Sequence, residues 1–323
     1  MSGVRIPLVL LSLAYGLAQA QDSGPIQTRN HRALSLPFLR LLPGHGVLGR
    51  ADREWSAGWA IANDVRKQPT GGPTEVEEDQ ETLRFAFRYR EGLGNGSEWW
   101  IEAPILSRGG GILDPIIDGW HKNILRWSDP LRNDTPMGRS VVTVGSQTFG
   151  SAAGLGDVSL GYSKSLGRRY QLDLGLKFPT GDPGRLLGSG GLDIGIAVSG
   201  VIPINSRWRL YLQAGAVVQG KPSRLEGARG LVDQACVAFI YRQSARDTWV
   251  VQWQSEASAL QTGVAASDAP HRLVTFGYRR RISSTQSLEG FFSEDRDLFR
   301  PGVPELANVG PDFTMGMRLV VRM

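Results

Sequence analysis

The chain has 323 residues, 41% of them hydrophobic, with 41 Gly, 9 Trp, one Cys and a formal net charge of +5. Past the N-terminus its apolar runs are short, as at Ala235–Tyr241, far below the roughly 18 residues of a membrane-crossing helix. A lone Cys excludes an internal disulfide framework, and the four His form no zinc-type spacing with it.

Met1–Ala20 carries Arg5, an apolar stretch from Ile6 to Leu17 and a small-x-small end at Ala18-Gln19-Ala20. This reads as a secretory signal peptide, residues 1–20, cut before Gln21. Export with one Cys suits a Gram-negative envelope and predicts the cell outer membrane as the location. Residues 21–50 read as an N-terminal periplasmic extension and 51–323 as the membrane domain.

From about residue 50 onward the apolar side chains recur at every second position, the period of a strand. Trp55, Ala57, Trp59 and Ile61 alternate with polar or small residues, as do Leu83, Phe85, Phe87 and Tyr89. The same pattern returns at Trp99–Ile105, Tyr170–Phe178, Trp208–Val218, Ala235–Tyr241, Trp249–Trp253, Val274–Tyr278 and Phe313–Met323. Many segments run about ten residues, the length of a tilted membrane strand, where sandwich strands run nearer five or six. Trp55, Trp99, Tyr170, Trp208, Tyr241, Trp249 and Tyr278 sit near segment ends, where interfacial girdles lie.

Tight turns at Leu166–Arg169, Pro203–Ser206, Gln243–Arg246 and Ile282–Thr285 alternate with longer links at 179–191, 220–230, 260–270 and 297–311. The expected fold is all-β: a transmembrane antiparallel up-and-down barrel of about 12 strands, with 14 as the alternative. About 13 segments are countable, and Ser140–Phe149 is the weak one to reassign to a loop. The alternation runs to Met323, an apolar terminal strand of the kind read by the barrel-assembly machinery; outer-membrane lipid is the other expected partner.

Within an insertion at 109–139, Asp114-Pro115 followed by Ile116, Ile117, Trp120, Ile124 and Trp127 has helical spacing, with Asp114 as N-cap. This short amphipathic helix, which also carries His121, is expected to plug the lumen or lie at its mouth or on the membrane surface.

Gly154–Tyr162, Leu174-Gly-Leu-Lys-Phe-Pro-Thr-Gly-Asp182 and Leu187–Asp193, with Asp114–His121, resemble a Gram-negative outer-membrane barrel family known as domain of unknown function 3187. The similarity covers most of residues 35–323. The Lys177–Asp182 hairpin is also similar to barrels encoded with aromatic-degradation pathways. The resemblance implies an outer-membrane barrel and carries no activity with it.

If the apolar faces meet lipid, the alternate positions line the lumen. The inward candidates are Arg84, Arg88, Arg90, Asp173, Lys177, Arg209, Glu256, Arg279, Arg281 and Arg318, with Arg242, Arg322, Asp157, Asp193 and Glu289 beside them. Basic residues outnumber acidic ones there by ten to five, so a water-filled lumen favours anions. Gly161, Gly175, Gly195, Gly215, Gly277 and Gly316 leave the same face bare, as when another backbone approaches.

There is no G-x-S-x-G elbow, no cofactor or metal motif and no nucleic-acid motif. The acidic run Glu75–Glu81 lacks an EF-hand loop and reads as a solvated outer loop. Cys236 reads as a small filler. The functional reading is a passive pore for small solutes, not an enzyme, with two rivals: a closed structural or ligand-binding barrel, and a barrel hydrolase using His121.

Overall fold

The computed structural model describes residues 24–67, 76–120, 122–123, 126, 136–295, 311 and 313–323. The expected signal peptide, His121, Ile124 and Trp127 lie outside the described residues.

Fifteen strands form one sheet. In chain order they are β1 (Arg53–Lys67), β2 (Val76–Gly94), β3 (Ser97–Gly109), β4 (Val141–Val144), β5 (Gln147–Phe149), β6 (Ala152–Leu155), β7 (Ser159–Leu166), β8 (Tyr170–Lys177), β9 (Asp193–Pro203), β10 (Trp208–Val218), β11 (Leu231–Arg242), β12 (Asp247–Glu256), β13 (His271–Arg281), β14 (Gln286–Asp295) and β15 (Phe313–Arg322). Twelve of them, all but β4, β5 and β6, close an antiparallel barrel through the β2–β3, β3–β7 and β1–β15 pairings. The Ser140–Phe149 segment is indeed not a wall strand: β4 pairs with the end of β2, and β5 with β4.

The outward alternate positions form an apolar belt. Trp55, Phe87, Ile196, Leu212, Phe239, Val251 and Met317 are each 40–50% exposed, while their strand neighbours Ser56, Arg84, Gln213, Ala238 and Val250 are buried. A soluble sheet turns its apolar side chains inward; here they face out on every side, as in a barrel that meets lipid. Toward one end of the belt lies the pair Phe292–Phe313; four further aromatic pairs, Trp55–Tyr89, Tyr89–Trp99, Trp208–Tyr241 and Trp249–Tyr278, with ring centroids 4.6–5.3 Å apart, gather at the opposite end. All the girdle residues expected from sequence fall at this end, which is also the end of the short turns.

The β2–β3 turn is the tightest of these. Asn95 and Gly96 both take positive φ, 52° and 65°, the backbone that an Asn-Gly hairpin turn requires. At the same end the closing strands meet: Arg53 N donates to Met323 O and Met323 N to Arg53 O.

β1 and β2 extend well beyond their partners on the long-loop end. The acidic run expected in a solvated loop belongs to that extension: β2 begins at Val76, and Glu78 is 1% exposed. The one helix between early strands, α1 (Asp114–Trp120), sits on its outer flank. Glu81, on the outward face of β2, accepts from Ile112 N and Leu113 N at 3.0 and 2.8 Å. The Asp114 carboxylate accepts from Asn63 Nδ2 and Gly138 N at 2.9 and 3.0 Å. Ile117 is buried against this flank. The helix is therefore a mouth element outside the wall, not a plug. No helix among the described residues is long and apolar enough to cross a membrane.

Candidate functional site

The lumen is filled, and the filling is the chain's own N-terminal segment. Residues 24–48, expected from sequence as a periplasmic extension, run up one side of the barrel interior and back down the other. The physical reason is legible afterwards: Ala33, Leu34, Leu36, Phe38, Leu39 and Leu41 are too apolar for a solvated extension and bury themselves where wall space is free.

The ascending limb starts at the short-turn end, where Arg279 donates to Gly24 O and Pro25 O, both at 3.1 Å. Above it, one glutamine serves a whole peptide: Gln252 Oε1 accepts from Ile26 N at 3.0 Å, and Gln252 Nε2 donates to Ile26 O at 3.2 Å. Gln254 Nε2 donates to Thr28 O. The descending limb is held likewise. Asp193 Oδ2 accepts from Leu39 N at 2.8 Å, and Gln234 accepts from Leu41 N and donates to Leu41 O. Tyr211 Oη meets Gly44 N and O, Gln171 accepts from Gly46 N, and Glu98 from Leu48 N. A buried backbone without a sheet partner must find its hydrogen bonds elsewhere. An amide side chain carries both donor and acceptor and so replaces a strand neighbour.

Half of the bare inner face has its cause here, since Gly161, Gly215 and Gly316 make room for the wall residues Trp100, Ala197 and Phe291 instead. A Cβ on Gly175 would stand 2.7 Å from a Leu41 methyl, and one on Gly195 would stand 3.1 Å from Leu39; Gly277 lies against Ile26 in the same way. The approaching element inferred from these glycines exists, but it is the 24–48 loop and not α1. Cys236 is buried beside Ile26, Tyr211 and Ile240, a filler as expected.

At the long-loop end the tip of the loop is locked twice. Ala33, Leu34 and Phe38 pack with Val76, Val142, Val144, Phe149, Leu186, Leu225 and Leu260, drawn from six separate stretches of chain. Arg32, 1% exposed, reaches Glu78 at 2.5 Å and His271 Nε2 at 2.8 Å, and donates to Ser267 Oγ. Arg40 pairs with Glu256 at 2.9 Å.

The wall charges are mostly committed. Arg84 and Arg88 face Glu102 at 2.5 and 3.6 Å, Arg88 also lying 4.1 Å above the Trp100 ring. Arg90 bridges Glu54 and Glu98, both at 2.8 Å. Lys177 meets Asp157 at 2.5 Å and Asp193 at 3.4 Å; Arg279 and Arg318 share Glu289. Asp173 accepts from Ser163 and Gln171. The inward positions Glu54, Glu78, Glu98 and Glu102 were missed from sequence, so the ten-to-five excess does not describe the mid-lumen. Arg209 and Arg281 lie instead at the short-turn mouth.

Beside the loop, on the β1–β2 and β14–β15 side, a narrow cavity of about 40 Å³ is lined by Thr28, Arg29, His31, Ser56, Arg84 and Arg88 among others. That is room for about three or four waters at the usual allowance of about 10–15 Å³ each. Ser35, His271 and Glu256 also meet near the tip. Ser35 Oγ and Glu256 Oε1 both approach His271 Nδ1, at 3.3 and 3.5 Å, while Nε2 faces Arg32. A proton relay needs serine and acid on opposite ring nitrogens, so this trio has the wrong geometry for hydrolysis.

An outer-membrane channel from Pseudomonas putida F1 shares the fold: TM-score 0.57 at 13% identity, covering 86% of this chain and 97% of that one. The NanC porin gives 0.43 at 11% identity, covering 84% of this chain and 100% of its own. The Pseudomonas putida toluene transporter TodX gives 0.40 at 11%, with 91% of each chain covered. No curated protein sequence matches. The family model DUF3187, described as a protein of unknown function, matches residues 3–295, and the chain belongs to that family.

Proposed function

We propose that the protein is an outer-membrane channel for small solutes, exported through a cleaved signal peptide and closed at rest by its own residues 24–48. In this reading the short turns face the periplasm and the long loops face outward, with lipid around the apolar belt. The barrel-assembly machinery reads the β15 end.

One observation carries the reading: the loop is a separate segment, seated by side-chain hydrogen bonds and apolar packing in a lumen shaped to receive it. A barrel that serves only as a structural post fills its interior with side chains of its own wall. This wall is instead bare at Gly175, Gly195 and Gly277 and turns amides toward a separate segment. A space of about three or four waters beside the loop admits no larger solute, so passage requires the loop to move.

Planar-bilayer recordings of the full chain and of a variant lacking residues 24–48 test this. The full chain is expected to conduct rarely or in small steps, and the deletion variant to hold a stable, several-fold larger conductance. A deletion variant that shows the heat-modifiable gel migration of a folded barrel yet stays silent would overturn the channel and leave the closed barrel.

A further inference from the structure

The cavity of about 40 Å³ beside the loop is where charge pairing in the lumen runs short. Its wall side follows from register. Arg88, Ala86 and Arg84 on β2 lie opposite Ser56, Gly58 and Ala60 on β1, three small residues that leave room beside the guanidinium groups. Its loop side brings Thr28 and Arg29, and Glu102 is the one carboxylate that lines it. A second cavity, of about 20 Å³ on the β3 side, shares Arg29, Arg84, Arg88 and Glu102 with the first.

Arg32, Arg40 and Arg90 are each matched by an acid, at 2.5, 2.9 and 2.8 Å. Here three guanidinium groups share one. Arg84 takes Glu102 at 2.5 Å, which leaves Arg88 at 3.6 Å from the same carboxylate. Arg88 makes no hydrogen bond among the described residues, and its Nε is buried without a partner. Arg29 donates only to the backbone carbonyls of Asn30, Ser35 and Phe38, at 3.4, 2.7 and 2.9 Å. Those carbonyls hold the group in place and leave its charge, and no carboxylate lies within 4 Å of it among the described residues. Thr28, 3% exposed, has a hydroxyl in the same position, buried with no hydrogen-bond partner. Buried donors in a native fold are filled by protein, by water or by an ion. Water fills the donor and leaves the charge, whereas an anion answers both, and an unmatched buried charge is the costly one. Room for about three or four waters fits a single small anion and excludes a larger one.

We infer that Arg29, Arg84 and Arg88, with the Thr28 hydroxyl, hold one monovalent anion of halide size between the loop and the wall. Arg29 and Thr28 belong to the loop, Arg84 and Arg88 to β2, so the ion binds the seated loop better than a displaced one and stabilises the seating. The site rests on the closed geometry alone and stands whether or not the barrel conducts.

Two measurements on the full chain test it. In crystals grown in sodium bromide, anomalous scattering at the bromine edge is expected to show a peak among the three guanidinium groups, and R88Q is expected to lack it. In detergent solution, protease cleavage of the 24–48 segment is expected to be at least fivefold slower in sodium chloride than in sodium gluconate at equal ionic strength, gluconate being too large for the cavity. R88Q should cleave at the same rate in both salts. R168Q/R169Q, which removes two exposed charges from the β7–β8 turn, should keep the wild-type ratio. Heat-modifiable migration checks each variant for folding; if R88Q does not fold, R84Q takes its place with the same expected loss. A wild-type cavity holding water only, or a peak and a salt ratio that survive in the arginine variant, overturns the site. A bromide peak with no salt dependence of cleavage would mark an adventitious ion only and overturn its link to the loop.

Discussion

The two ends of the lumen are built on opposite plans. At the long-loop end, apolar side chains from the loop tip, β2, the β4–β5 hairpin and three further links seal over a buried Arg32–Glu78 pair. At the short-turn end the interior holds a basic cavity lined by arginines, of which Arg207, Arg209, Arg246 and Arg281 have no carboxylate within 4 Å among the described residues. Closure and charge are thus separated along one axis. Substitutions at the outer end should change whether the lumen is blocked, and substitutions at the inner end what is drawn to it.

The sharpest way to break this contrast is Arg32→Ala. It leaves Glu78 buried without its guanidinium, a loss of about 3–5 kcal/mol for a buried pair broken on one side. Cleavage of the 24–48 segment by added protease should rise by two orders of magnitude or more. Protection equal to wild type would remove the outer lock from the account.

A smaller effect is expected where the loop meets bare wall. Gly175→Leu overfills the groove taken by Leu41, at about 1–3 kcal/mol for an overpacked site. The loop should loosen, read as protease sensitivity, with circular dichroism of the barrel retained. If the strands melt together with the loop, the groove is part of the wall's own stability and the two are not separable.

Gln252→Ala removes both hydrogen bonds to the Ile26 peptide, costing about 1–3 kcal/mol for the buried groups left without partners. Amide hydrogen exchange at Ile26 should quicken accordingly, and unchanged exchange would mean that packing, not the amide, holds the limb. Least of all should come from Arg280→Gln. Its partner Asp247 lies on the outer surface of the short-turn end, and such exposed pairs contribute below about 1 kcal/mol. Loop protection and thermal stability should both stay near wild type; a large loss of stability would mean that the outer pair braces β12 against β13.

How much was legible beforehand differs by residue. The facing of Trp55, Phe87, Tyr170 and Leu174 followed from alternation, and the turns at 166–169 and 282–285 from their residue types. The Asn95-Gly96 turn carried an equally clear signal and went unread, as did the inward acids Glu54, Glu98 and Glu102, whose parity against Trp55, Trp99 and Ile101 was available. The glycines correctly announced a second element against the wall but not which one, because a missing Cβ says that something approaches and nothing about its origin. The helix at Asp114 was real in type and wrong in the most specialised role offered for it: Glu81 and Asn63 hold it on the outer flank.

Alternation, girdle aromatics and turn chemistry are local properties, each fixed within a few residues, and they suffice to specify a membrane barrel of about this size. Where residues 24–48 go is settled by partners 150 to 250 positions away, such as Asp193 for Leu39 and Gln252 for Ile26. Which charges meet depends on strand register, which sets Arg90 between Glu54 and Glu98 and gathers Arg209, Arg242 and Arg281 at the short-turn mouth. Those pairings exist only once the sheet has closed, because closure alone brings the inward rows of distant strands onto a common level.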